Sequence, residues 1–102
     1  MVKKVFSIYD SKSEAFNTPF CAIAVGEAKR MVSVSASDPN TSLFQFPDDF
    51  ILFEVGTFNS SIGVLVSAPA VNHGVVRSLL RPAMFPVKDL EVSQEQVVSG
   101  GN

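Results

Sequence analysis

The run FILFEVGTF at residues 50–58 constrains the fold more than any other part of this sequence. β-branched and aromatic residues fill it, and these residue types favour extended strands. Its side chains are predicted to alternate between two faces, Ile51, Phe53, Val55 and Thr57 on one and Phe50, Leu52, Glu54, Gly56 and Phe58 on the other. The turn sequence NSSIG follows, and the apolar residues 63–68 return after it. This pattern predicts a β-hairpin and an antiparallel sheet.

A second hairpin is predicted at the start of the chain. Residues 3–9 alternate in the same way, with Lys4, Phe6 and Ile8 on one side and Val5, Ser7 and Tyr9 on the other. A polar loop at residues 10–14 separates this strand from a second apolar segment at residues 20–25. Pro19 places the second strand at an edge of the sheet, or marks its start, because proline cannot donate a ladder hydrogen bond.

A helix is predicted between the two hairpins, beginning at Gly26. Apolar and small residues recur there at helical spacing, at Ala28, Met31, Val32 and Ser35. The segment SDPNT at residues 37–41 ends it, because Pro39 disfavours helical geometry in the residue before it. Four strands and one helix predict an α+β fold, a small antiparallel sheet of about four strands with the helix packed on one face.

Length and composition bound the domain organisation. The chain has 102 residues, of which 46% are hydrophobic and 18% charged, and this fits a single domain that we assign to residues 1–87. Residues 75–80 suit either a short helix or a short strand. Residues 88–102 carry three acids and one lysine without periodicity, and are expected to form an acidic, disordered, flexible C-terminal tail.

The apolar content also bears on assembly and location. Mean hydropathy is +0.26 and there are nine Phe residues, so we expect apolar surface to be buried between subunits, most simply in a homodimer. There is no apolar run of eighteen residues, and no apolar stretch follows the N-terminal lysines. We therefore expect no membrane association and a cytosolic location in the cell that makes the protein.

Residues that often carry chemistry are few. The motifs GxxxxGK[ST], GxGxxG, HExxH and GxSxG do not occur, so we expect no enzymatic activity, no catalytic residues, no metal site and no cofactor. The single cysteine, Cys21, is expected in the core, and the single histidine, His73, in a solvated loop. The pair Asp48 and Asp49 suits a turn, and Glu54 suits a sheet rim or a cross-strand pair with a basic residue.

A set of basic and aromatic residues near the first hairpin and the helix suggests binding of single-stranded nucleic acid. Bases stack on aromatic rings, while lysine and arginine neutralise phosphates. The candidate DNA-binding residues are Lys3, Lys4, Tyr9, Lys12, Phe16, Phe20, Lys29 and Arg30. The same residues also suit solubilising charges and a Phe-rich core, and the net charge of −2 is unlike that of a typical duplex-binding domain.

Four blocks of the sequence, KKVFSIYDSKSEAFNTPF, GEAKRM, DPNT and FPDDFILFEVGTF, carry a resemblance to a known family. In their order and spacing over residues 3–66 they resemble the small nonstructural protein of microviruses, of the gokushovirus type. The resemblance implies a DNA-binding protein that acts in the host cytoplasm while single-stranded genomes are made or packaged. It names no binding residue. A protein-interaction or scaffold module that contacts a capsid, replication or host protein remains the alternative.

Overall fold

A computed structural model describes residues 1–80 of the chain, and the predicted tail lies outside this range. The predicted α+β class is confirmed. The elements in chain order are β1 (Val2–Asp10), β2 (Ala15–Phe16), β3 (Phe20–Ala22), α1 (Val25–Ser35), α2 (Ser42–Gln45), β4 (Phe50–Asn59), β5 (Val64–Val75) and α3 (Val76–Leu79).

The sheet is antiparallel throughout and has β1 near its centre. β1 pairs with β4 along its whole length on one side, and with the short strands β2 and β3 on the other. β4 in turn pairs with β5, which forms an edge of the sheet. The predicted order of hairpin, helix and hairpin is therefore confirmed. The second strand of the first hairpin is shorter than predicted, because α1 already begins at Val25.

One face of the sheet, which we call the helix face, holds the hydrophobic core. Phe6 and Leu52 are fully buried there and Ile8 nearly so. Helix α1 packs on this face through Ala28 and Val32, with Ala36 just beyond its end. The small side chains at these positions let the helix approach the sheet closely, and the predicted packing of one helix on one face is confirmed.

A β-bulge in β4 corrects the predicted alternation of residues 50–58. Phe6 pairs with Glu54 while the preceding Val5 pairs with Gly56, so Val55 is the extra residue. Beyond the bulge the faces exchange, and Gly56 and Phe58 join the face of Phe53. Glycine is needed at position 56, because a Cβ there would lie 2.2 Å from the backbone oxygen of Val66.

Strand β5 is longer than the predicted segment at residues 63–68 and continues to Val75. Pro69 does not end it, because an edge strand leaves one side of its backbone without a ladder partner and proline is tolerated there. Residues 76–79 then form α3, which settles the open assignment of this segment as a short helix. The short helix α2 was not predicted, and the hydroxyl of Thr41 caps it by accepting from the N–H of Phe44.

The prediction that Cys21 lies in the core is wrong, since Cys21 is exposed. The cause is the alternation of β3. Phe20 pairs with Phe6 and Ala22 pairs with Lys4, so both face the helix, and Cys21 faces the other way. Among the described residues, no helix is long and apolar enough to cross a membrane.

Candidate nucleic-acid interface

Three aromatic rings form a cluster on the sheet face opposite the helix. The ring centroids of Tyr9 and Phe16 lie 4.9 Å apart, those of Phe16 and Phe53 5.5 Å, and those of Tyr9 and Phe53 6.2 Å. The rings are tilted or edge-to-face, which is the arrangement that aromatic quadrupoles favour. Phe16 is 49% exposed, and the other two rings are partly exposed.

Strand pairing brings these rings together from three separate strands. Tyr9 on β1 lies directly opposite Phe16 on β2. On the other side of β1, Phe53 of β4 pairs with Ser7, one step along the same face from Tyr9. We call this side of the sheet, with Tyr9, Phe16 and Phe53, the aromatic face. It presents exposed π surface on a rigid support, which suits stacking of planar groups.

A tight turn holds Lys12 between the strands that carry Tyr9 and Phe16. The carboxylate of Asp10 accepts the backbone N–H of Lys12 at 2.9 Å and that of Ser13 at 3.4 Å. The Lys12 hydrogen bond, with smaller contributions from Ser13, holds the pKa of Asp10 below its ordinary value despite some opposing desolvation. Glu14 completes the turn with a positive φ of 61°. The turn therefore fixes the backbone of a cationic residue beside the aromatic cluster.

Lys3 lies at the other end of β1, on the aromatic face. It shares the side of β1 that carries Tyr9, and its cross-strand partner is Phe58. Lys3 is six positions before Tyr9, which is roughly 20 Å at the rise of a β-strand. Lys3 and Lys12 thus lie on either side of the aromatic cluster along the strand direction.

Lys4 points to the helix face and is paired with a carboxylate. Its Nζ lies 3.3 Å from Glu54, and the other carboxylate oxygen of Glu54 lies 3.0 Å from Nε2 of His73. The His73 hydrogen bond is the main cause of a lowered pKa of Glu54, Lys4 adds to the effect, and desolvation opposes it. The predicted pairing of Glu54 with a basic residue is confirmed, and Lys4 is neutralised locally.

The prediction that His73 lies in a solvated loop is wrong. His73 is part of β5, its side chain is only 20% exposed, and its ring lies 6.1 Å from that of Phe6. It occupies an irregularity of the ladder, because Leu52 pairs with Gly74 while Phe53 pairs with Asn72. The sequence NHG was typical of a turn, but here it forms a bulge that turns the imidazole towards Glu54.

Three other predicted site residues lie on the helix side of the sheet. Phe20 stacks on Phe6 with centroids 5.8 Å apart, and it lines a groove of about 320 Å³ together with Met31. Lys29 and Arg30 are carried by α1, which packs on the helix face. The predicted set is therefore divided, with Tyr9, Phe16 and Lys3 on the aromatic face, Lys12 in the adjoining turn, and Phe20, Lys4, Lys29 and Arg30 on the helix side.

The remaining ion pair fixes the start of β4. Asp48 accepts from Nε of Arg77 at 2.6 Å, which lowers the pKa of Asp48 and raises that of Arg77. Asp48 lies in a turn, as predicted. Within residues 1–80, neither Lys3 nor Lys12 has a carboxylate partner within 4.0 Å. Lys12 nevertheless lies near acidic groups, because its charge helps to lower the pKa of Asp10 and it lines a groove together with Asp49.

Phe53 belongs to the cluster and was missed as a site residue. The alternation of β4 placed it on a face with Ile51, and that of β1 placed Tyr9 on a face with Ser7. Joining the two observations requires knowing that β1 pairs with β4 and in which register, and neither follows from a single sequence. Within the described residues, no group of three or more His, Cys, Asp or Glu residues is placed to hold a metal ion.

Comparison with known proteins gives one match. A family model described as "Phage ORF5 protein" matches residues 3–78, about three quarters of the chain. No curated protein and no solved structure matches. The matched residues include every strand of the sheet except the first residue of β1, and every residue of the aromatic cluster.

Proposed function

The chain belongs to the Phage ORF5 protein family, and from this premise we propose that it is a non-enzymatic accessory protein of a microvirus of the gokushovirus type. Its role is to bind single-stranded DNA, without strong sequence preference, while the viral genome is synthesised or packaged. The place of action is the host cytoplasm.

The observation that carries this proposal is the cluster of Tyr9, Phe16 and Phe53. Unpaired bases expose their π faces, and stacking on an aromatic side chain contributes about 1–3 kcal/mol per base. Because every base has such a face, the contact discriminates little between sequences. Duplex DNA keeps its bases stacked inside the helix, so this surface favours single strands.

Electrostatic attraction is expected to contribute modestly. Lys3 lies on the aromatic face at the far end of β1 and Lys12 in the turn that follows β1, and the net charge of the whole chain is −2. If these two residues each neutralise one phosphate, the slope of log affinity against log salt is about −1.4. A fourfold rise in salt then weakens binding about sevenfold. Affinity therefore depends more on stacking than on charge.

Fluorescence anisotropy with a labelled oligothymidylate tests the stacking contact. The informative variant is Phe16→Ala, and the matched control is Phe44→Ala, because Phe44 is 48% exposed but lies on α2, away from the cluster. We expect Phe16→Ala to weaken binding by about tenfold, within the range that stacking allows, and Phe44→Ala to leave it unchanged. Equal affinities for the two variants would exclude the aromatic face as the binding site.

A pair of double variants tests the charges in the same assay. Lys3→Glu with Lys12→Glu changes the net charge as much as Lys29→Glu with Arg30→Glu, but only the first alters residues beside the aromatic face. We expect the first double variant to weaken binding clearly more than the second at low salt. A larger loss in the second would place the DNA on the helix side.

A protein-interaction module is the second candidate, and the exposed apolar side chains of β5 favour it. In this alternative the protein contacts a capsid, replication or host protein and does not retain DNA. It predicts no anisotropy change with oligothymidylate at any salt concentration, together with co-purification of a protein partner. The two candidates therefore give opposite results in the DNA assay.

A further inference from the structure

The part of the β4–β5 hairpin on either side of its turn, residues 55–71, has an uncharged and largely apolar surface. There is no Asp, Glu, Lys or Arg from Val55 to Val76. Its apolar side chains nevertheless lie in water, with Ile62 69% exposed, Leu65 68% and Val66 53%. We call residues 55–71 the apolar hairpin. A soluble protein seldom leaves so many neighbouring apolar groups uncovered unless another molecule covers them.

Both sheet faces of the apolar hairpin share this character. Leu65 pairs with Phe58 and Val66 pairs with Thr57, so consecutive side chains of β5 point to opposite faces. Packing on one face would therefore cover only part of this surface, whereas a partner strand added at the edge contacts both faces.

The backbone of β5 offers such an edge. Within residues 1–80, β5 pairs only with β4, and its other side carries a row of peptide groups with no strand beside it. Edge strands are normally protected by charged residues, by proline or by a short length. β5 is 12 residues long and has no charged residue, and Pro69 leaves residues 64–68 before it uninterrupted.

We propose that the apolar hairpin is the dimerisation site of this protein, and that β5 of one copy pairs antiparallel with β5 of a second copy. Antiparallel pairing of a strand with itself has two-fold symmetry, which is the commonest symmetry of protein dimers. The lack of charge means that no like charges meet across the axis. It also offers no ion pair to a charged partner or to phosphates, so a second copy fits this surface better than DNA does.

The available apolar area is consistent with a small, reversible dimer interface. Burial of a Val, Leu or Ile side chain removes roughly 60–120 Å² of apolar surface from water. Five side chains of the apolar hairpin, each 45–69% exposed, then supply roughly 150–350 Å² per copy. They are Ile62, Val64, Leu65, Val66 and Val71. The strand backbone adds to this area, and the sum stays below the ~800 Å² per partner of a standard interface, in the range of smaller, weaker interfaces.

Sedimentation velocity of the full chain between 5 and 100 μM tests the proposal. We expect the mass of the wild-type protein to rise with concentration towards about 22 kDa at 100 μM, twice the 11.0 kDa of one chain. Leu65→Glu should give the monomer mass with an unchanged circular dichroism spectrum, because Leu65 is exposed. The matched control is Val34→Glu on α1, where the native side chain is 61% exposed, and it should remain a dimer.

Three results would overturn the dimerisation site. They are a wild-type monomer at 100 μM, an unchanged mass for Leu65→Glu, or equal dissociation of Leu65→Glu and Val34→Glu. Hydrogen exchange checks the strand pairing, since amides within residues 64–68 should be slower to exchange in the wild-type protein than in Leu65→Glu. A dimer whose amides in this segment exchange at the same rate in both proteins contradicts edge pairing. The readouts need no DNA, so they stand apart from the proposed DNA binding.

Discussion

The two faces of this sheet are built from neighbouring residues of the same strands, yet they have different properties. On the helix face, Phe6, Ile8 and Leu52 are buried under α1. On the aromatic face, Tyr9, Phe16 and Phe53 contact one another and stay partly exposed. The comparison teaches that the period-2 alternation of one strand can supply stability on one side and a contact surface on the other.

The largest expected difference between the two faces is in the stability lost by Leu52→Ala and by Phe16→Ala. Leu52 is fully buried in the core, so its truncation leaves a cavity and should lower the free energy of unfolding by about 3 kcal/mol. Phe16 is half exposed, and its loss should cost about 1 kcal/mol of stability. Urea denaturation measures both values. If Phe16→Ala proves the more destabilising, the aromatic face is part of the core and the comparison fails.

Gly56→Ala tests the β-bulge at Val55, beyond which the side chains of β4 change faces. A Cβ at this position would clash with the backbone of Val66, so β4 and β5 must separate locally. We expect a loss of about 2 kcal/mol in the free energy of unfolding. Gly26→Ala is the control, because a Cβ at position 26 meets nothing within 4 Å. Equal stability of the two variants in urea would contradict the close approach at the bulge.

Lowering the pH should reduce the free energy of unfolding, because it protonates Glu54 on the helix face. The folded state lowers the pKa of Glu54, so its contribution is fully present above the unfolded value of about 4.3 and is lost as pH falls through the lower, folded value. Glu54→Gln should cost about 1 kcal/mol at pH 7 and make the acid limb of stability shallower. Denaturation midpoints at pH 7, 5, 4 and 3 measure this. Glu14→Gln serves as the control. If stability falls with pH just as gently in that variant, Glu54 is not the cause of the acid sensitivity.

The smallest expected effect concerns the turn beside the aromatic face. Glu14 has a φ of 61°, a conformation that costs a residue with a Cβ about 1–2 kcal/mol. Glycine relieves this cost but loses more entropy on folding, so Glu14→Gly should stabilise the protein by about 0.5 kcal/mol. Thermal unfolding detects such a shift. A lower midpoint for Glu14→Gly would show that the Glu14 side chain itself supports the turn.

Sequence patterns predicted the elements of this fold better than the positions of its side chains. Alternation and helical spacing sufficed for both hairpins and for α1, because they depend on local residues. The bulge at Val55, the continuation of β5 through Pro69 and the outward position of Cys21 depend on pairing between distant strands. The same limit applies to the aromatic cluster, of which Tyr9 and Phe16 were among the candidate residues and Phe53 was not.

Charge patterns were the least informative. The basic residues of the first hairpin and the helix were predicted as one set, but Lys4 pairs with Glu54, and Lys29 and Arg30 belong to the helix that covers the other face. A sequence does not show which charges share a surface until the sheet register is known. We therefore expect a weaker salt dependence than a cluster of five cations would give.

The emission of Tyr9 tests the central claim, that the aromatic face binds single-stranded DNA, most directly. Tyr9 is the only tyrosine, and there is no tryptophan, so the intrinsic fluorescence above the phenylalanine background comes from the cluster alone. Titration with oligothymidylate, corrected for absorption by the DNA, should quench this emission saturably, with the same midpoint as the anisotropy change. Phe44→Ala should give the same curve, and Phe16→Ala should shift it to higher DNA concentration. DNA binding that leaves the emission of Tyr9 unchanged would contradict the account.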